Sequence, residues 1–173
     1  MEQVEIIPYE KRWERLFQEE AKLIKDTVEK QYRIYHIGST SIPGMPSTPI
    51  IDLLMVVENL DDMCDGKNRL ARIGYEALGE RNGQGRCFFM KDGGNCSYHL
   101  HIFQQGNKQI ERHLIFREFM IANREEAERY ACQKEELAER YQQDRQKYTE
   151  EKKVLLNKID RKVEQWTKEA DKP

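Results

Sequence analysis

A single carboxylate stands inside an apolar run. Ile50-Ile51-Asp52-Leu53-Leu54-Met55-Val56-Val57 follows a segment of glycine, hydroxyl residues and proline, from His36-Ile37-Gly38-Ser39-Thr40-Ser41-Ile42-Pro43-Gly44 through Met45 to Pro49. An apolar run bounded by such turn residues reads as a buried strand. Side chains alternate along a strand, so Ile50, Asp52, Leu54 and Val56 share one face and Ile51, Leu53, Met55 and Val57 the other. An unpaired carboxylate there would cost several kcal/mol or be driven to protonate. Asp52 is therefore expected to be paired, hydrogen-bonded or bound to a metal. The Gly38-Ser39 turn ahead of it suits an anion, because glycine takes dihedrals that aim successive backbone amides into one concavity.

Around this pair the chain divides into helices and strands. Trp13, Leu16, Phe17, Ala21, Ile24 and Val28 recur at spacings of three and four, which predicts an amphipathic helix of about 20 residues after Pro8. Arg33–Ile37 reads as a first strand. Asp61 to Ile73 is predicted helical, capped by Asp61 or Asp62 and ended by Gly74. A short strand is expected within Tyr75 to Glu80, then a glycine-rich turn at Arg81 to Gly85. Arg86–Lys91 and Ser97–Phe103 form a hairpin across Asp92-Gly93-Gly94-Asn95. From Gln109 onward the pattern is helical, in three pieces split near Asn123 and near Tyr148. Neither repeats nor a linker interrupt the chain, so residues 1–173 read as one domain, with a sheet core at about 33–103 and C-terminal helices at about 109–170.

At several of these places the chain resembles the GrpB family of the nucleotidyltransferase superfamily. Gly38-Ser39 followed by the strand residue Asp52 is the first. Tyr98-His99-Leu100-His101 is similar to the family's His-x-His strand, and Phe116-Arg117-Glu118-Phe119 to its Phe-Arg-Asp-Tyr helix. The stretches Tyr130 to Lys134 and Tyr148 to Lys152 resemble its Tyr-and-Lys helical segments. The resemblance implies an α+β fold: a small nucleotidyltransferase-like mixed β-sheet flanked by an N-terminal helix and a C-terminal helical region. It also implies a nucleotide or other phosphorylated small molecule as ligand, with a divalent metal (Mg²⁺, Mn²⁺ or Zn²⁺) at Asp52 as a candidate cofactor. Two departures bear on this. Nucleotidyltransferases place a second carboxylate two residues beyond the first, where this chain has Leu54, and the family usually has a lysine where this chain has Thr48.

His99 and His101 project from one strand face while Tyr98, Leu100 and Ile102 project from the other. If that strand neighbours the Asp52 strand, as the resemblance implies, the two imidazoles and the carboxylate form either a three-ligand site suited to Zn²⁺, Mn²⁺, Fe²⁺ or Ni²⁺, or a hydrogen-bonded structural network. His36 is expected to orient the loop by hydrogen bonding. Ser39, Thr40 and Ser41 either donate to a phosphate or satisfy the turn's own backbone. Arg117, Lys134, Arg145 and Lys152 match the family's helical segments and are the candidate phosphate partners, against the plainer reading of solvated helix charges. Tyr130, Tyr141 and Tyr148 read as packing residues. Val154, Leu155, Ile159, Val163 and Trp166 form an apolar stripe that either caps the sheet or pairs with a second copy; capping is the expectation, and oligomeric state stays open.

Charge narrows the function classes. A net charge of −2 with an isoelectric point near 6.1 argues against general nucleic-acid or anionic-membrane binding. No apolar run approaches the ~20 residues of a membrane span. The acidic opening Met1-Glu2-Gln3-Val4-Glu5 is unlike a signal peptide, which makes the cytoplasm the expected compartment. Cys64, Cys87, Cys96 and Cys132 show no metal-site spacing and are expected to be reduced and structural. Three functions follow: nucleotidyl transfer with Asp52 holding the metal and His99 and His101 as ligands or acid/base; a nucleotide- or phosphate-binding module without turnover; and transition-metal hydrolysis by Asp52, His99 and His101.

Overall fold

The computed structural model describes residues 3–64, 67–79 and 85–171. Among the described residues five strands form one sheet: β1 (Arg33–Ile37), β2 (Ile50–Val57), β3 (Glu76–Ala77), β4 (Arg86–Asp92) and β5 (Ser97–Gln104), in the order β1-β2-β5-β4-β3. Only the central β2–β5 pair is parallel; the other neighbours are antiparallel. The helices are α1 (Arg12–Val28), α2 (Asp61–Cys64), α3 (Lys67–Ala71), α4 (Lys108–Ala122), α5 (Arg124–Arg140) and α6 (Arg145–Ala170). This is the mixed α+β arrangement that the residue patterns and the resemblance imply.

The period-two pattern of the central strands decides what each sheet face meets. Ile51, Leu53, Met55 and Val57 of β2 and Leu100 and Ile102 of β5 pack beneath Trp13 and Ile24 of α1 and Leu70 of α3. On the opposite face Ile37, Leu54, Val56 and Phe103 lie under Ile110 and Leu114 of α4. Asp52, His99 and His101 share this second face. A third cluster ties Phe119 and Met120 of α4, Tyr130 of α5 and Ile159 and Val163 of α6 to Ile42 and Met45, just beyond the Gly-Ser turn. Leu155 and Trp166 of the C-terminal stripe join it, whereas Val154 stays exposed.

Several local expectations are corrected. Within the predicted Asp61–Ile73 helix, Asp61–Cys64 and Lys67–Ala71 are helical, residues 65–66 lie outside the described set, and the last helical residue is Ala71 rather than Ile73. Asn59, rather than Asp61 or Asp62, supplies the capping oxygen, accepting from the Asp61 amide at 3.0 Å. The short strand expected within Tyr75 to Glu80 is Glu76–Ala77, and residues 80–84, which hold most of the predicted glycine-rich turn, lie outside the described set. The last helical break falls at Tyr141 to Asp144, and Tyr148 lies inside α6. Asp144 explains this, because its carboxylate accepts from the Lys147 amide at 2.9 Å and starts the helix there.

Candidate functional site

Pairing of β2 with β5 sets Asp52 opposite His99 and Leu54 opposite His101. His101 Nε2 lies 3.1 Å from Asp52 Oδ1, and His99 Nδ1 lies 3.7 Å from the same oxygen. Behind the first imidazole, Arg86 Nη1 donates to His101 Nδ1 at 2.6 Å. A guanidinium has donors only, so Nδ1 is the bare nitrogen and the ring proton sits on Nε2, from which it is donated to Asp52. Burial pushes the Asp52 carboxyl up, but the His101 hydrogen bond and the nearby His101, His99 and Lys152 pull harder and hold it below its ordinary value. Burial lowers His99, opposed by Asp52 and reinforced by His101, Arg145 and Arg86. Phe88 from β4 stands edge-on to His99 and tilted against His101, with ring centroids 5.5 and 5.0 Å away.

The Gly-Ser loop abuts this cluster because β1 brings Ile37 opposite Asp52. Gly38 takes φ +73° and ψ −175°, and a Cβ placed on it would sit 2.6 Å from Asp52 Oδ2. Glycine is required there twice over, for the dihedral and for the close approach. Ser39–Ser41 then make one 3₁₀ turn. Thr40 donates its hydroxyl to the Ile50 carbonyl and so ties the turn to the start of β2, while Ser41 donates to that of Gly38 and closes the turn on its own backbone. Since the Thr40 proton is committed, His36 Nε2–H donates to Thr40 Oγ1 at 3.0 Å. His36 is stacked on Phe17, and burial lowers its pKa to about 4 against the pull of Glu14 and Asp52. Arg117 reaches back from α4 to donate to the His36 carbonyl at 2.8 Å.

Lys134 enters the loop from α5. Its Nζ donates to Ser39 Oγ at 3.0 Å and to the Pro46 carbonyl at 2.7 Å, and lies 4.8 Å from the centre of the Tyr130 ring. The residue is 1% exposed. Burial and the neighbouring Lys152 lower its pKa to about 7, with Glu135 opposing. Among the described residues no carboxylate is ion-paired with it, and Ser39 and the Pro46 carbonyl are its two acceptors, which leaves the third N–H without one.

Placement of the candidates is thus uneven. Gly38, Asp52, His99 and His101 form one cluster, with Ser39 and Lys134 beside it. Thr40, Ser41, His36 and Arg117 hold the loop's shape. Lys152 stands 6.0 Å from the Tyr148 ring and bears on Asp52 and Lys134 through its charge. Tyr130 and Tyr148 are buried in the helical layer. Arg86 was legible only as a strand residue, since nothing in its neighbourhood marks it as the partner of His101. His113 of α4 also went unmarked; its ring centroid lies 6.0 Å from that of His101.

As donors for a divalent ion these residues fit poorly. Among the described residues no group of three or more His, Cys, Asp or Glu is placed to hold a metal. Both nitrogens of His101 are engaged, and Leu54, where a second carboxylate would stand, is fully buried against Ile37, Val56 and Phe103.

A family profile described as "GrpB protein" matches residues 3–162. The chain belongs to the GrpB family. GrpB relatives include the UPF0157 protein YqkA of Bacillus subtilis, 35% identical over 95% of this chain; the chain spans 48% of that relative's length. Glutamate-rich protein GrpB of Alkalihalophilus pseudofirmus is 32% identical, over 91% of this chain and 94% of its own. The crystal structure of conserved protein GrpB from Enterococcus faecalis superposes with a TM-score of 0.85 at 32% identity, covering 92% of this chain and 96% of that one. A cytoplasmic RNA terminal U-transferase shares the fold at a TM-score of 0.57 and 12% identity, over 79% of this chain and 44% of its own. The GrpB fold here is therefore nucleotidyltransferase-like. Among the described residues no helix is long and apolar enough to cross a membrane.

Proposed function

We propose that the chain binds a phosphorylated small molecule of the nucleotide class at the Gly38-Ser39 loop, without turnover. The observation that carries this is Lys134: a fully buried ammonium, unpaired with any described carboxylate, held at the loop with one N–H unmet. Burying an uncompensated charge costs several kcal/mol, and a phosphate at the loop would offset that cost. Lys152 adds positive charge at Lys134, and Arg145 adds it at His99. The fold shared with an RNA terminal U-transferase supports nucleotides over other phosphates. Nucleotidyl transfer and transition-metal hydrolysis both need an ion at Asp52, which the donor set disfavours.

Lys134→Met tests the reading. Tripolyphosphate and nucleoside triphosphates are expected to raise the melting temperature of the native chain and to leave that of the variant unchanged. Without ligand, the variant should be at least as stable as the native chain at neutral pH, by up to about 4 kcal/mol. The pH dependence has a definite sign. The unfolded lysine keeps its proton up to its ordinary value, whereas the folded one releases it near 7, so the native chain's deficit shrinks as pH rises above about 7. Equal ligand response in both proteins would sink the proposal.

A further inference from the structure

We propose that Arg86 is a positioning residue that fixes His101 as its Nε2–H tautomer against Asp52, and that the anion site so built takes its ligand without a divalent ion. Phosphate binding at the loop rests on the preceding reading; the Arg86–His101–Asp52 chain does not. Three observations support the proposal. Arg86 is itself buried, its guanidinium lying 4.8 Å from the Phe88 ring, and it donates to His101 Nδ1 at 2.6 Å. That bond leaves His101 one proton, and Nε2 gives it to Asp52 Oδ1 at 3.1 Å. A metal at that oxygen would have to displace the N–H, and ligation by His101 itself would require the proton to move to Nδ1, against the guanidinium. The other carboxylate oxygen faces the Cα of Gly38 so closely that not even a methyl group fits between them.

The ion that usually joins carboxylates to phosphates thus has its place taken from three sides: by an imidazole N–H, by a glycine backbone and by the buried Leu54. Positive charge comes instead from fixed side chains. Lys134 touches Ser39, while Lys152 and Arg145 bear on Lys134 and His99. Lysine serves as a point charge for phosphate and needs no bridging ion.

Long-range ¹H–¹⁵N correlation spectra of the imidazoles near neutral pH test the first half on the native chain, with no variant required. The expected pattern for His101 is a protonated Nε2 and a bare Nδ1. Arg86→Leu should convert it to a mixture of tautomers, and Arg86→Lys, which keeps a donor, should restore it. A protonated Nδ1 in the native chain overturns the proposal, as does stoichiometric Mn²⁺ broadening confined to the His99 and His101 resonances. For the second half, tripolyphosphate binding is measured in EDTA and in excess Mg²⁺. Similar affinity supports the proposal, and a gain of about tenfold or more with Mg²⁺ overturns it. No binding in either condition overturns the phosphate site of the preceding subsection and this second half, while the spectra still decide the role of Arg86.

Discussion

Gly38 is the residue at which loop and carboxylate are locked together. Its dihedrals fall in a region that is essentially closed to other residues, and its Cα rests against Asp52. Gly38→Ala is expected to cost about 2–5 kcal/mol, combining backbone strain with the clash. Adding Asp52→Ala removes the clash and not the strain. The double variant should therefore recover about 1–3 kcal/mol relative to the sum of the single effects, measured by urea unfolding. Additivity would mean that the loop and Asp52 are not in contact. The Gly-Ser turn was visible in the sequence, as was the shared face of His99 and His101, which follows from strand alternation alone. The full reason for glycine was not visible, because it lies in an approach between a loop residue and a residue of β2. Arg86 was hidden for a similar cause: an arginine opening a hairpin strand faces either way until the β4–β5 register opposes Arg86 to Phe103 and Phe88 to His101.

At the scale of elements, α1 is held to the sheet by more than its apolar stripe. Glu20, buried on that helix, accepts from Lys91 of β4 at 2.8 and 3.0 Å, and the ammonium lies 5.5 and 5.3 Å from the centres of the Tyr75 and Tyr98 rings. Removing one partner leaves a buried charge unmet, so Glu20→Leu or Lys91→Met alone should each cost about 3–5 kcal/mol. The double replacement restores an apolar contact of similar volume and should return close to native stability. A double variant as unstable as the sum of the two would show that the pair acts through something other than mutual neutralisation. Sequence patterning located α1 through its spacing but offered no reason to bury Glu20. The β1 limits were legible to the residue, because turn residues bound short apolar strands sharply. The α5–α6 break was misplaced, since neither glycine nor proline marks it and the signal is a lone capping aspartate.

For the whole molecule, two of the packed clusters have different tasks. Beneath α1 and α3 lies a wholly structural layer, whereas the cluster joining α4, α5 and α6 to Ile42 and Met45 also holds the ligand loop and carries Lys134. Elements packed through one small cluster can open without the rest of the fold, at a free energy below that of global unfolding. Ile159 is a buried member of that helical cluster. Ile159→Ala should cost about 2–5 kcal/mol through the cavity it leaves. Its effect on hydrogen exchange should be local: the amides of Ile42 and Met45, bonded to the Ser39 and Ile42 carbonyls, exchange faster relative to the native chain than those of Leu53 and Leu100 in the central strands. A uniform increase across both sets would show one cooperative unit and remove the basis for treating the loop layer separately. If the layers do separate, tripolyphosphate should protect the Ile42 and Met45 amides selectively. The ligand would then draw its stabilisation from the layer in which Lys134 is buried, and the α1 side would serve as a fixed base.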